Sequence, residues 1–151
     1  MAVTGYWYPN GIRNFATGLV SWEADSASIK LALMNANFSG TNQSLSLADF
    51  WSDVSTYECS AGGGYTSKTV GTTTVACVST SYKTVKFSGA TTTVFTTLTH
   101  TAAGAVVYKA VAQATASPVI FFLDFGGTQS PSAGDFTITW NTDGMATVVT
   151  A

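Results

Sequence analysis

Apolar and polar positions alternate most clearly near the C-terminal end, where Phe136, Ile138 and Trp140 are interleaved with Thr137 and Thr139. That is the period-2 pattern of a half-buried strand. Asn141-Thr142-Asp143-Gly144 predicts a turn, since Asp143-Gly144 tolerates the positive φ of a tight loop, and residues 145–149 predict the returning arm of a hairpin. The aromatic face is expected to be core and the threonine face either solvated or paired with a neighbour. Residues 28–34 predict another strand, with Ile29, Leu31 and Leu33 on one face and Lys30, Ala32 and Met34 on the other. Val119-Ile120-Phe121-Phe122-Leu123 is apolar on both faces and predicts a central strand covered on both sides. Further strands are expected at residues 66–70, 73–78, 82–87, 92–97, 105–111 and 119–125.

Helical spacing is confined to the first third of the chain. Ile12, Phe15, Leu19 and Trp22 recur at helix-like intervals, interrupted by Gly18. Leu47, Phe50, Trp51 and Val54 fall at i, i+3, i+4 and i+7, with Ser46 placed to cap them and Asp49 in the first turn. Gly62-Gly63-Gly64 then breaks the chain. Tyr6, Trp7, Tyr8 and Pro9 precede any periodic element, so residues 1–11 read as an aromatic arm or loop and residues 12–151 as one domain. Three large aromatics outside an element must be covered by something. A neighbouring subunit is the expected cover, which makes Tyr6, Trp7, Tyr8 and Pro9 the candidate interface. The fold expected is mainly β: an antiparallel sandwich, or jelly-roll-like, with one or two short helices in the N-terminal third.

Composition changes this picture in one respect. The 151 residues are 46% hydrophobic, which is ordinary, but only 9% charged, against about a quarter in typical domains. The polar surface is therefore built from Thr, Ser, Asn and Gly. Such a surface is covered by another protein at little desolvation cost, although threonine also simply suits strands. The net charge of −2 and scattered Lys and Arg give no basic stripe for nucleic acid. No apolar run is long enough for a membrane span, and the start lacks the features of a signal peptide. Assembly in a cytoplasm followed by release on lysis fits this, as does loss of a leader.

Candidate chemistry is sparse. His100 is the only histidine, and no Gly-x-Ser-x-Gly motif accompanies it. The carboxylates could in principle supply a glycosidase pair, but several sit where turns and caps need them. Asp124-Phe125-Gly126 lacks the other parts of a kinase, and the Gly62–Gly64 run lacks a phosphate-loop lysine. Cys59 and Cys77 are two buried thiols or a single bridge; spacing does not decide which. The expectation is a protein without catalytic residues, metal or cofactor.

Several stretches together resemble a family of small virion structural proteins of tailed bacteriophages. They are Ser21-Trp-Glu-Ala-Asp25 ahead of Ser28-Ile-Lys-Leu-Ala-Leu-Met34, then Phe50-Trp-Ser-Asp-Val54, and then Tyr57-Glu-Cys-Ser-Ala-Gly-Gly-Gly-Tyr-Thr66. Last come Ser117-Pro-Val-Ile-Phe-Phe-Leu-Asp-Phe-Gly-Gly127 and Gly134-Asp-Phe-Thr-Ile-Thr-Trp140. The resemblance covers most of the chain from about residue 12, least in the threonine-rich middle. Cys59, the paired glycines after Phe125 and the aromatic start depart from the pattern. What the resemblance implies is a β-sandwich capsid decoration (cement) protein, made in the host bacterial cytoplasm. It would sit on the outer capsid surface as a homotrimer, bind the major capsid protein and stabilise the shell. A tail- or fibre-associated module binding host-surface glycans is the alternative.

Overall fold

The computed structural model describes residues 4–38, 48–78, 84–142 and 144–149. In chain order the elements are β1 (Thr4–Trp7), α1 (Pro9–Ala16), β2 (Ile29–Asn35), β3 (Lys68–Thr69), β4 (Thr74–Cys77), β5 (Thr84–Ser88), β6 (Thr92–Leu98), β7 (Ala102–Lys109), β8 (Val119–Gln129), β9 (Gly134–Thr139) and β10 (Ala146–Val149). They form a mainly β fold of antiparallel sheets: one of five strands in the order β1-β8-β7-β2-β3, one of three in the order β10-β5-β4, and the pair β6-β9.

The five-stranded sheet is apolar on both faces because it is covered on both. Ile29, Leu31, Leu33, Val107 and Phe121 point to one side, where they pack with Trp22, Phe95, Leu98 and Ile138 from the overlying segments. Ala32, Met34, Val106 and Phe122 point to the other, beneath Tyr8, Phe38, Trp51 and Val54. Trp51 stacks on Tyr108 with ring centroids 4.2 Å apart. Each fully buried Leu, Ile or Phe contributes about 1.5–3 kcal/mol, so the central strands are also the main store of stability. The first face, with sheets packed on sheet, is sandwich-like.

A bulge in β8 sets the position of the N-terminal segment. Val107 faces Phe121 and Tyr108 faces Val119, which leaves Ile120 as the extra residue. Ile120 and Phe121 consequently both turn into the first core. The Ile120 carbonyl turns outward and accepts from the Tyr8 N–H at 3.1 Å. It also lies against Gly11, where any Cβ would run into that carbonyl.

Several expectations are corrected here. The expected arm or loop at residues 1–11 is not one over its described part: Thr4–Trp7 is an edge strand paired with β8, and Pro9 opens α1. The helix buries Gly11 and Asn14 and half-buries Phe15, while Ile12 is 46% exposed and Leu19 44%. Phe15 and Trp22 of the apolar spacing do turn into the core, but Ile12 and Leu19 do not, because the helix ends at Ala16 and packs on Ile120 through Gly11. The second helix is a pair of 3-10 turns, Trp51–Asp53 and Ser55–Tyr57, with the Asp53 carboxylate accepting from the Asp49 and Phe50 N–H groups; Ser46 and Leu47 lie outside the described residues, as do Tyr82, Lys83 and Asp143. β8 runs past the expected end at residue 125, through Gly126 and Gly127 to Gln129. Finally, β9 and β10 are not a hairpin. The turn closes, with Gly144 N–H on the Asn141 carbonyl at 2.9 Å, but β9 pairs with β6 and β10 with β5.

Candidate functional site

Where the chain crosses from β9 to β10, a cleft of about 610 Å³ opens against β1. Gly5, Tyr6 and Trp7 form one wall, Met145, Ala146 and Thr147 the other, and Phe121 and Asn141 also line it. The described residues that line it are uncharged. A second cavity of about 370 Å³ shares Gly5, Asn141, Gly144 and Met145 and reaches toward Phe125 and Trp140. The cleft exists because the hairpin does not form: β10 is carried away from β9 and lies beside the edge of β1 that no described strand pairs with.

The four residues expected at an interface are divided by this geometry. Tyr6 is 42% exposed and lays one ring face on Phe122, centroids 4.9 Å apart. Trp7 is half-buried; its ring meets Phe15, Phe87 and Phe121 edge-on, and its indole N–H donates to the Thr147 carbonyl at 2.9 Å. Tyr8 is fully buried and Pro9 is exposed. Tyr8 is thus core, Trp7 is the strut across the cleft, and Tyr6 and Pro9 are left on the surface. No sequence signal separated them, because alternation over four residues is too short to assign faces.

A second surface is the outward side of β6–β9. Phe95 and Ile138 point inward, with Phe136 and Trp140 half-buried beside them, as the alternation predicted. Thr92, Val94 and Thr96 of β6 and Thr137 and Thr139 of β9 point outward and are exposed, with Asp135 at one end. It is the threonine face read from the sequence, and Val94 at 38% exposure gives it apolar content.

The titratable groups serve the fold. His100 Nε2 lies 2.9 Å from the Gly62 carbonyl, and the ring packs edge-on against Tyr65. Tyr65 donates its hydroxyl to Glu58 at 2.7 Å and accepts from the Leu33 N–H at 3.1 Å. Burial pushes the Glu58 carboxyl above the usual range, opposed by the Tyr65 hydroxyl and the Lys30 charge. Cys59 beside it is buried, and burial together with the Glu58 charge pushes its thiol up to about 11. It is therefore not a nucleophile at neutral pH. The two cysteines are not bridged, and the expectation of two buried thiols fails for Cys77, which is exposed on β4. Asp25 is pulled the other way: burial raises it, but bonds from Lys109 and the Ser21 N–H hold it below the usual carboxylate range. Glu23 accepts from Val75 N–H, Asp49 pairs with Arg13, Asp124 accepts from Gly126 N–H, and Asp135 accepts from Thr97 N–H. Each of these carboxylates thus accepts a hydrogen bond or pairs with a cation within the fold. Among the described residues, no group of three or more His, Cys, Asp or Glu is gathered as a metal site, and no helix is long and apolar enough to cross a membrane.

No protein-family model matches the chain, and neither the curated proteins nor the solved structures contain a match to it.

Proposed function

We propose that this protein is a non-enzymatic virion structural protein of a tailed bacteriophage, a decoration protein that binds the outer surface of the major capsid protein shell and stabilises it. The observation that carries the reading is the outward face of β6–β9, a surface of Thr92, Val94, Thr96, Thr137 and Thr139 with a single carboxylate at its margin. Covering it strips almost no charge of water, and Val94 adds apolar area. The motifs that carry the family resemblance support the same reading, because they fall on scaffold. Residues 117–127 contain most of the central strand β8, and residues 134–140 build the threonine face. Self-association as a homotrimer belongs to this proposal.

The glycan-binding alternative has less to stand on. A sugar platform needs an open aromatic face, and the Trp7 ring is ringed by three aromatic edges while one Tyr6 face is occupied by Phe122. The deciding experiment is the copy number of the chain in purified particles of the phage that encodes it. A simple ratio to the major capsid protein supports decoration; a handful of copies transfers the chain to the tail or a vertex; absence from particles defeats the proposal.

A further inference from the structure

Asn10-Gly11 is the only Asn-Gly pair in the chain. The pairing is reactive because glycine has no Cβ to shield its nitrogen. The Gly11 amide nitrogen can attack the side-chain carbonyl carbon of Asn10, closing a five-membered succinimide and expelling ammonia. Water then opens the ring at one carbonyl or the other. One product is an aspartyl residue in a normal chain. The other, the iso-aspartyl form, routes the main chain through the side chain and lengthens it by one methylene. Both add a carboxylate.

Hydrogen bonding does not restrain this pair. Asn10 is partly exposed at the second position of α1, and the Gly11 N–H is a first-turn amide with no acceptor inside the helix. The restraint is the backbone. Ring closure brings Cβ, Cα and C=O carbon of Asn10 nearly coplanar with the next nitrogen, and the helical ψ holds them far from coplanar. The helical turn is fixed on both sides of the pair. Pro9 sets the first φ, and Gly11 lies against the Ile120 main chain so closely that any Cβ would collide with it. Farther along, Phe15 anchors the helix by packing on Trp7, Trp22 and Phe87. That seat on Ile120 fits a main chain of ordinary length, so an inserted methylene displaces Gly11 from it.

We infer that Asn10-Gly11 is a modification site gated by α1: the pair loses ammonia and takes up water only when the helix opens, and the iso-aspartyl product cannot close the helix on Ile120 again. Conversion then counts openings of the N-terminal segment, and each iso-aspartyl event makes one opening permanent. The inference is independent of what the chain binds.

The test is peptide mapping of the purified chain held at neutral pH, folded and in denaturant, with the two products separated by chromatography. Conversion at residue 10 should be about tenfold slower or more in the folded chain, because only the open fraction reacts. Phe15→Ala loosens the anchor without touching the pair. It should raise the folded-state rate about tenfold and leave the unfolded rate unchanged. Should that variant fail to fold, denaturant below the unfolding transition should raise the wild-type rate instead. Trypsin reads the second half at Arg13, which is exposed on α1. Under folding conditions the iso-aspartyl fraction should be cut there about tenfold faster than wild type. Asn10→Asp, with the same added charge on a normal backbone, should be cut as wild type. Equal conversion in folded and unfolded chains, or a folded-state rate indifferent to both Phe15→Ala and denaturant, would overturn the gating. Equal cutting of the iso-aspartyl fraction and Asn10→Asp would overturn the permanent opening.

Discussion

The glycine corner at residues 62–65 and the β1–β10 cleft are both places where strands stop, and they are finished in opposite ways. At the corner the neighbouring polar groups bond to one another. Thr99 and His100 bond to the Gly63 and Gly62 carbonyls, Tyr65 bridges Glu58 and Leu33 N–H, and Cys59 N–H bonds to Leu33 O at 2.9 Å. Tyr65 also stacks on Phe95 with centroids 5.8 Å apart. At the cleft the Trp7 indole bonds to the Thr147 carbonyl across the two walls, while the main chain of Gly5 and Trp7 is turned away from β8. Satisfying polar groups internally makes a rigid corner; leaving a row of them open makes a template. Both solutions occur in one small sandwich, which is why the open one reads as a site and not as loose packing.

The largest expected effect comes from forcing the corner open. Gly64 holds φ +78, and a Cβ there would press on the Thr96 and Thr97 main chain. Gly64→Ala should therefore cost about 3 kcal/mol or more, combining left-handed backbone strain with overpacking against groups that cannot rotate away. Thermal unfolding of the purified variant checks this. A melting temperature equal to wild type would mean that the corner is not the rigid part of the comparison.

Next is Tyr65→Phe, expected to cost about 1–3 kcal/mol at neutral pH by leaving Glu58 and Leu33 N–H without their shared partner. The pH dependence gives the sign. The folded Glu58 carboxyl titrates above its ordinary value because burial disfavours its charge. Its contribution to stability is thus fully present below the unfolded pKa near 4.5 and is lost as pH rises through the folded value. Removing the hydroxyl takes away a bond that favours the carboxylate, so the cost of Tyr65→Phe should shrink below about pH 4.5 and grow above it. Unfolding curves at pH 4 and pH 7 that show the same difference would detach Glu58 from the corner's stability.

Trp7→Phe addresses the cleft. It removes the strut to Thr147 while keeping an aromatic ring among Phe15, Phe87 and Phe121, so about 1 kcal/mol is at stake. For a domain of this size that is about 2–4 °C in melting temperature. A loss as large as that of Gly64→Ala would show the two walls to be as tightly joined as the corner, and the contrast would collapse.

How much of this was legible follows from which interactions are local. β8 was readable because both faces of the Val119–Leu123 run are apolar, which a strand covered on two sides demands, and β2 because Ile29, Leu31 and Leu33 alternate with Lys30, Ala32 and Met34. The threonine face was readable because alternation in residues 136–140 is strict. β1 was not, since Thr-Gly-Tyr-Trp has too few positions to show a period and its partner is 120 residues away. α1 was read only in part, because its buried positions include Gly11, which lets it approach Ile120, and Asn14, neither of which an apolar pattern selects. The turn at Asn141 and Gly144 formed as expected, but a turn does not choose the strands that leave it. The cleft depends on that choice, so its walls were visible as residues and invisible as a site.

The smallest effect on stability is expected at the edge that contrasts with the cleft. Glu23→Ala removes the carboxylate from the Val75 N–H at the surface, a change expected to stay within about 0.5 kcal/mol. Its consequence lies in association. With the cap gone, the outward groups of Val75 and Cys77 join into a run of exposed, uncharged strand edge in Thr74–Cys77, the condition that favours edge-to-edge pairing. Sedimentation of the variant over a concentration series, with reductant present to keep Cys77 from bridging, should show assemblies beyond those of wild type. Identical sedimentation would mean that a single carboxylate is not what keeps β4 from pairing, and the open edge of β1 would then lose its contrast with a guarded one.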